Sequence, residues 1–256
     1  MSEPLLEVGH LAKRFEGVVA TDDLALDVVE GELHAVIGPN GAGKTTLIAQ
    51  LSGQLIPDSG RIRFAGTDIT RLPPYRRSAL GLARSFQITS LFLDLSALDN
   101  VALAVQAHAG HSFRFWCNAR KETALREPAA VALARVGLAG RADWPASALS
   151  HGEHRQLELA MALAGNPRML LLDEPMAGLG PEESAAMVNM LRDLKKRYTI
   201  LLVEHDMEAV FALADRISVL VYGRVIASGA PDDIRSNAQV REAYLGEDHA
   251  EGAIHD

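Results

Sequence analysis

The chain has 256 residues, of which 48% are apolar and 23% are charged, a composition typical of a globular protein with a buried core. Its 33 Asp and Glu outnumber its 25 Lys and Arg, and the net charge of -8 disfavours a surface built for nucleic acid, which needs a basic stripe. The single cysteine, Cys117, excludes an internal disulfide framework and a four-cysteine zinc site, and it favours a reducing compartment.

The apolar runs are too short to cross a bilayer. Runs such as 169–172 and 200–203 are far shorter than the about 20 apolar residues that a spanning helix needs. The first ten residues carry two acids and lack the basic start and apolar run of a signal peptide. We therefore expect a cytoplasmic protein that reaches a membrane only through a partner.

The first quarter of the chain predicts strands around one helix. Residues 5–30 alternate between apolar and polar side chains, which predicts antiparallel strands with a turn near Gly17. Residues 32–37 form a short apolar run and predict a buried strand. A helix is expected over 43–54, and a turn and a strand over 57–66.

The middle of the chain predicts helices. Residues 96–138 are rich in Ala and Leu, with Pro128 as a breaker, and indicate several helices. Residues 153–164 have the apolar spacing of a helix with a broad buried face. Residues 182–196 begin with acids and end with bases, as expected of a helix whose charges match its dipole.

Buried strands alternate with these later helices. Residues 169–172 and 199–203 predict two such strands, and 207–214 predicts a further helix. Residues 217–227 indicate a hairpin around Gly223. One or two short helices and a polar end are expected after residue 230. The alternation predicts an α/β core with a mainly parallel sheet.

Residues 38–45, GPNGAGKT, match the phosphate-loop pattern G-x-x-x-x-G-K-[ST] between a predicted strand and a predicted helix. The glycines allow backbone N–H groups to approach phosphate oxygens, and the helix adds its positive end. Lys44 is expected to contact the β- and γ-phosphates, and the Thr45 hydroxyl to bind Mg²⁺. The alternative, a Gly-rich turn with an exposed lysine, is disfavoured by this context.

Residues 169–175, MLLLDEP, end an apolar strand in two acids. A buried Asp is costly without a cation or hydrogen bonds, so Asp173 is the candidate for holding Mg²⁺. Glu174 is the candidate base that orients or deprotonates the attacking water. Alone, the pattern would fit equally well a helix N-cap followed by a first-turn acid, which Pro175 would permit.

Three further motifs follow the order found in one family: ARSFQ with Gln87, LSHGE (149–153) and EHD (204–206). Over about residues 5–245 the chain resembles the nucleotide-binding subunit of ABC transporters. The resemblance implies a P-loop NTPase fold with a RecA-like parallel-sheet core, an antiparallel β-subdomain and an α-helical subdomain at about 88–165. Residues 246–256 would form a polar tail.

The resemblance also implies further site residues. Phe15 would stack on adenine, with a core phenylalanine as the alternative, and Gln87 would touch Mg²⁺. Ser150 and Gly152 would contact the γ-phosphate bound to an opposite subunit, and His205 would sense the γ-phosphate. ATP would therefore lie between two subunits.

Together these arguments give three sets of residues. The catalytic set is Lys44, Glu174 and His205. The Mg²⁺ set is Thr45, Gln87 and Asp173. The ATP-binding set is Phe15, Gly38, Pro39, Asn40, Gly41, Ala42, Gly43, Lys44, Thr45, Thr46, Gln87, Ser150 and Gly152.

The chain departs from the commonest pattern at His151 and Glu153, where LSGGQ is usual, and at Gly180, where an Asp is common. The roles of those family residues are therefore not transferred. With VREAYLGE near the end, these features resemble the ATPases of importers for branched-chain amino acids and for urea or short amides. The lipopolysaccharide-export ATPase shares part of the pattern.

The resemblance implies an ATP hydrolase at the cytoplasmic face of the membrane. Its partners would be separate permease subunits and a second ATPase subunit, itself or a paralogue. An extracytoplasmic substrate-binding protein would act indirectly, and no nucleic acid is expected. The alternatives are a lipopolysaccharide-export ATPase and an ABC ATPase acting on DNA or ribosomes. Residues 84–101 are apolar enough to hold a permease helix, although core packing explains them equally well.

Overall fold

A computed structural model of the chain describes residues 3–85, 91–109 and 122–243. Its strands are β1 (Leu6–Phe15), β2 (Val18–Val28), β3 (Leu33–Ile37), β4 (Ser59–Phe64), β5 (Thr67–Asp68), β6 (Leu82–Arg84), β7 (Met169–Asp173), β8 (Thr199–Val203), β9 (Arg216–Val221) and β10 (Arg224–Gly229). Its helices are α1 (Lys44–Ser52), α2 (Pro74–Ala79), α3 (Ala97–Ala109), α4 (Thr123–Arg135), α5 (His151–Leu163), α6 (Pro181–Leu194), α7 (Met207–Leu213) and α8 (Pro231–Ser236).

The strands form two sheets, as the sequence predicts. The first is antiparallel, in the order β2-β1-β4-β5. The β1–β2 hairpin turns at Glu16 and Gly17, where the sequence places it. The second sheet has the order β10-β9-β3-β8-β7-β6, with all neighbours parallel except β10 at one edge. The expected ABC ATPase fold class is confirmed.

The parallel sheet has a hydrophobic core on each face. Every residue of β3, β7 and β8 is buried, because both faces of these central strands are covered. On β3, Leu33, Ala35 and Ile37 join a core formed with α3 to α7, whereas Val36 joins a core formed with α1 and the antiparallel sheet. Because side chains alternate between the two faces of a strand, the same strand packs against both hydrophobic cores.

Helices α3, α4 and α5 pack against one another in the Ala-rich middle of the chain. Pro128 lies inside α4, so the prediction that it breaks the helix is wrong. Proline removes one N–H from the helix ladder, but the buried residues Leu125, Ala129 and Leu133 hold α4 in the core. The helix predicted over 153–164 begins earlier, at His151, because Ser150 caps it.

Other predicted elements occur close to their expected bounds. Helix α6 covers most of 182–196, α7 lies within 207–214, and the hairpin around Gly223 is formed by β9 and β10. Two short helices follow residue 230. Within the described residues, no helix combines the length and the apolar character that spanning a membrane requires. Cys117 and the predicted polar tail lie outside the described residues.

A buried arginine caps the end of α1 opposite the phosphate loop. The Arg77 guanidinium is 1% exposed and donates to the carbonyls of Gln50 and Leu51 in the last turn of α1. It also donates to the carbonyls of Leu72 and Thr70. Burial lowers the pKa of Arg77 to about 10, so it keeps its charge at neutral pH. This cation complements the negative end of α1 and helps to fix the helix that follows the phosphate loop.

Candidate ATP site

Two glycines of the phosphate loop lie against backbone segments that leave no space for a side chain. A Cβ atom on Gly38 would lie 2.0 Å from the carbonyl oxygen of Leu220 at the end of β9. A Cβ atom on Gly43 would lie 2.1 Å from the carbonyl oxygen of Ala20 on β2, and Gly43 has a φ of 104°. Glycine is therefore needed at both positions for a steric reason, independent of any ligand.

Lys44 is the first residue of α1 and is 8% exposed. Its Nζ donates to the carbonyl oxygens of Gly38, at 2.6 Å, and Pro39, at 2.9 Å. The ammonium group thus lies within the loop that the sequence assigns to phosphates. Thr45 and Thr46 follow in the first turn, where N–H groups without partners inside the helix provide an anion-binding end.

The two acids at the end of β7 have different surroundings. Asp173 is buried, and its Oδ2 lies 3.1 Å from Nη2 of Arg84. Burial raises the pKa of Asp173, with Glu174 adding to the effect and Arg84 and Lys44 opposing it. Within the described part of the chain, Asp173 Oδ1 has no hydrogen-bond partner. A buried carboxylate oxygen of this kind fits a hard cation or its water shell.

Glu174 is half-buried and does not begin a helix. Residues 174–178 form a turn or bend, and α6 starts only at Pro181. The alternative interpretation of Asp173 and Glu174 as a helix cap and a first-turn acid is therefore wrong. Glu174 has a φ of 49°, a left-handed conformation that is uncommon outside glycine and that concentrates at functional sites.

His205 follows β8, whose neighbours in the sheet are β3 and β7. Its side chain is 64% exposed. Because parallel strands end at the same edge of a sheet, the phosphate loop, Asp173, Glu174 and His205 share one edge. Ligands in α/β proteins bind at this carboxyl edge.

Ser150 caps α5 with a reciprocal pair of hydrogen bonds. Its Oγ accepts from the Glu153 N–H at 3.2 Å, and its own N–H donates to Glu153 Oε2 at 2.9 Å. Glu153 Oε1 accepts from Arg141 Nε at 3.0 Å. The departure from Gln at position 153 therefore supplies a carboxylate that both caps the helix and pairs with Arg141.

The first turn of α5 packs against α6 and the loop before it. A Cβ atom on Gly152 would lie 2.7 Å from Oε1 of Glu183. A Cβ atom on Gly178 would lie 3.3 Å from Nε2 of His151. The departures at His151 and Gly180 thus occur in neighbouring segments. Gly152 lies against Glu183 of α6, and Ser150 is bonded to Glu153, which pairs with Arg141. The phosphate loop instead lies against β2 and β9.

Phe15 and Gln87 are the predicted site residues that remain, and the structure describes only Phe15. Phe15 ends β1 and is 47% exposed, so the alternative of a core phenylalanine is wrong. The Lys13 ammonium lies 5.6 Å from the centre of its ring. Gln87 lies outside the described residues.

The motifs quoted from the sequence contained two important residues that sequence reasoning missed. Arg84 belongs to ARSFQ and pairs with Asp173, and Glu204 belongs to EHD and is completely buried. The only available signals were a lone arginine and a lone glutamate beside recognised motif residues. Neither residue could be assigned a role from the sequence, because its role depends on a partner that only the fold brings close.

The chain matches a known protein family. The sequence pattern of the family described as "ABC transporter" matches residues 21–177. The chain belongs to this family. Like its other members, this ABC protein binds and hydrolyses ATP.

Relatives resemble this ABC protein over nearly its full length. The Pseudomonas aeruginosa protein named "High-affinity branched-chain amino acid transport ATP-binding protein BraF" is 39% identical over 96% of this chain and 100% of its own. The Escherichia coli K12 protein LivG, with the same description, is 38% identical over 96% and 100%. A second pattern, "Branched-chain amino acid ATP-binding cassette transporter", matches residues 224–250.

A solved structure agrees as well. The ADP conformation of MJ1267, an ATP-binding cassette of an ABC transporter, has a TM-score of 0.84 and 30% identity. The match covers 96% of this chain and 100% of that one.

Proposed function

We propose that this ABC protein is the ATP-hydrolysing subunit of an importer for branched-chain amino acids or related small amides. The observation that carries the substrate class is the match of residues 224–250 to the branched-chain family. The 39% identity to an ATPase of branched-chain amino acid transport points the same way. The protein works through separate permease subunits at the cytoplasmic face of the membrane. Residues from about 5 to 245 form its single ATPase domain.

The phosphate loop and Lys44 hold the β- and γ-phosphates in this proposal, and Phe15 stacks on the adenine. The support is the convergence of the loop, Asp173 and Glu174 on one edge of the sheet. The exposed ring of Phe15 is free of the core and offers an aromatic face to a base.

The residues present also fit Mg²⁺. Thr45 and Asp173 supply the oxygen ligands that this ion prefers, and Asp173 Oδ1 is buried without a partner among the described residues. Gln87 completes the proposed set. Bound there, the ion would neutralise charge on the phosphate oxygens. Arg84 holds the other oxygen of Asp173 and so fixes the orientation of its carboxylate.

Glu174 orients the attacking water and accepts its proton, while His205 contacts the γ-phosphate. Ser150 and Gly152 serve the ATP of a second ATPase subunit, either another copy or a paralogue. The hydrogen bond that Ser150 Oγ accepts from Glu153 leaves the hydroxyl proton available to donate to a phosphate oxygen. ATP binding therefore closes the dimer, and hydrolysis reopens it.

The test is affinity purification of the tagged protein from detergent-solubilised membranes of its own cell, followed by mass spectrometry. Multi-span permeases and an ATPase subunit should co-purify, with an extracytoplasmic binding protein joining under native conditions. Recovery with lipopolysaccharide-export, DNA-repair or ribosomal proteins would contradict the importer assignment and leave the ATPase assignment intact.

Replacing Ser150 by Ala is expected to slow turnover of the dimer without changing the ATP affinity of the monomer. The variant removes both a helix cap, worth about 1 kcal/mol, and the proposed phosphate donor. Ser150→Asp separates the two effects, because Asp caps a helix well but repels phosphate. Turnover and ATP affinity should be measured on both variants. A loss confined to monomer affinity would contradict the role across the dimer.

A further inference from the structure

The turn that follows β7 is held by the end of β8. Glu174 has a strained φ of 49°, and such a conformation persists only where the surroundings enforce it. Its N–H donates to the carbonyl of Val203 at 2.9 Å. Two residues later, the N–H of Met176 donates to Oε1 of Glu204, also at 2.9 Å. Val203 and Glu204, which follow one another at the end of β8, therefore fix the turn after β7.

The second oxygen of Glu204 holds the segment that contains His205. Oε2 accepts from the His205 N–H at 3.0 Å and, more weakly, from the Asp206 N–H at 3.5 Å. Asp206 in turn caps α7 by accepting from the Ala209 N–H at 3.1 Å. The backbone of His205 is thus fixed on one side by Glu204 and on the other by the start of α7.

Glu204 is 0% exposed, which is costly for a carboxylate. Within the described residues, His205 is the only basic side chain within 4 Å of it, with Nδ1 at 3.7 Å from Oε2. Burial raises the pKa of Glu204, and the three backbone N–H groups oppose this rise. An apolar residue would avoid the cost of burial, but it could not accept hydrogen bonds from two loops at once. The contacts therefore explain why a carboxyl group occupies this place.

We propose that Glu204 is a positioning residue that joins the turn of Glu174 to the segment of His205, so that the two loops move as one unit. The inference rests on the proposed roles of Glu174 and His205 in hydrolysis. One carboxyl group links the position of the attacking water to the position of the γ-phosphate sensor. A change at either loop is then transmitted to the other through two hydrogen bonds.

The test is Glu204→Gln in the full chain. The amide has nearly the same size, but only its oxygen can accept, so one of the two loops loses its hydrogen bond. A small misplacement of reacting groups costs about 100-fold in rate, and we expect kcat to fall by about 10- to 100-fold while the affinity for ATP is retained. Hydrogen exchange measured by mass spectrometry should become faster in peptides covering Met176 or His205.

Glu32→Gln is the matched control. Glu32 lies before β3, at the opposite edge of the sheet, and accepts from the Val29 N–H and from Arg216. Loss of the Glu32 carboxylate should lower the melting temperature. It should not change kcat or the hydrogen exchange of the loops that contain Glu174 and His205. Unchanged kcat and unchanged loop exchange in Glu204→Gln would overturn the proposal. So would an equal fall of kcat in both variants, since that would indicate a general loss of stability.

A measurement on the unmodified protein covers the case in which Glu204→Gln does not fold. Addition of a non-hydrolysable ATP analogue should slow exchange at Met176 and His205 together, and unrelated responses would overturn the proposal. These exchange results do not depend on which permease or substrate is involved. Failure of the importer assignment would appear in the co-purification experiment and not here.

Discussion

Replacing Glu174 by Gln is expected to leave ATP bound but to reduce turnover by about 10² to 10⁴-fold, the usual contribution of a general base. The amide keeps the size of the side chain but cannot accept a proton from water. The strained turn is held through its own backbone N–H groups, which donate to the Val203 carbonyl and to the Glu204 carboxylate, so the substitution should not disturb it. Nucleotide affinity and steady-state ATP hydrolysis, measured on the same preparation, test this prediction.

The Glu174→Gln variant should also accumulate as an ATP-bound dimer, because the γ-phosphate persists between the subunits. Size-exclusion chromatography with ATP detects this state. Glu30→Gln is a suitable control, since Glu30 forms an exposed pair with Arg168 before β3, far from the proposed site. Near-normal turnover in Glu174→Gln would show that another group is the base.

Replacing Lys44 by Ala is expected to weaken ATP binding by at least about 30-fold, because truncating one partner of a buried charge pair costs about 2–5 kcal/mol. Lys44 is the charged group of the phosphate loop, and its Nζ already lies against the carbonyls of Gly38 and Pro39. The substitution removes the cation and two internal contacts of the loop. Equilibrium binding of a fluorescent ATP analogue measures the effect.

Lys196→Ala is the matched control for Lys44→Ala. Lys196 is exposed just after α6 and, among the described residues, pairs only with Asp193, so its removal should not alter ATP affinity. Melting temperatures of both variants distinguish a lost ligand contact from a disordered loop. Unchanged ATP affinity in a folded Lys44→Ala variant would contradict the assignment of the phosphate loop.

The local elements were predictable because their causes are local. The runs 169–172 and 199–203 are uniformly apolar and became β7 and β8, and Gly17 and Gly223 lie in the predicted turns. The prediction for Pro128 was wrong because tertiary packing, and not local chemistry, decides whether the helix continues there. A proline weakens a helix by local chemistry, but the packing of α4 against α3 and α5 outweighs that cost.

The sequence by itself determined the family and the order of the elements, and it predicted the chemistry of the phosphate loop. These properties depend on residue types at short, fixed spacings, such as the glycines and Lys44 of 38–45. The interpretation of Asp173 and Glu174 remained open until the structure showed a strained turn there in place of a helix start.

Only the tertiary structure decided how the segments of the candidate site are held. Arg84 and Asp173 are 89 residues apart, and Glu204 lies 28 residues from Met176. The adjacency of β6, β7 and β8 makes these pairs neighbours. Burial then gives the contacts their importance, since a buried carboxyl group must find hydrogen bonds or charges nearby. The pattern of residues along the chain does not contain that proximity, and the order of strands in the sheet creates it.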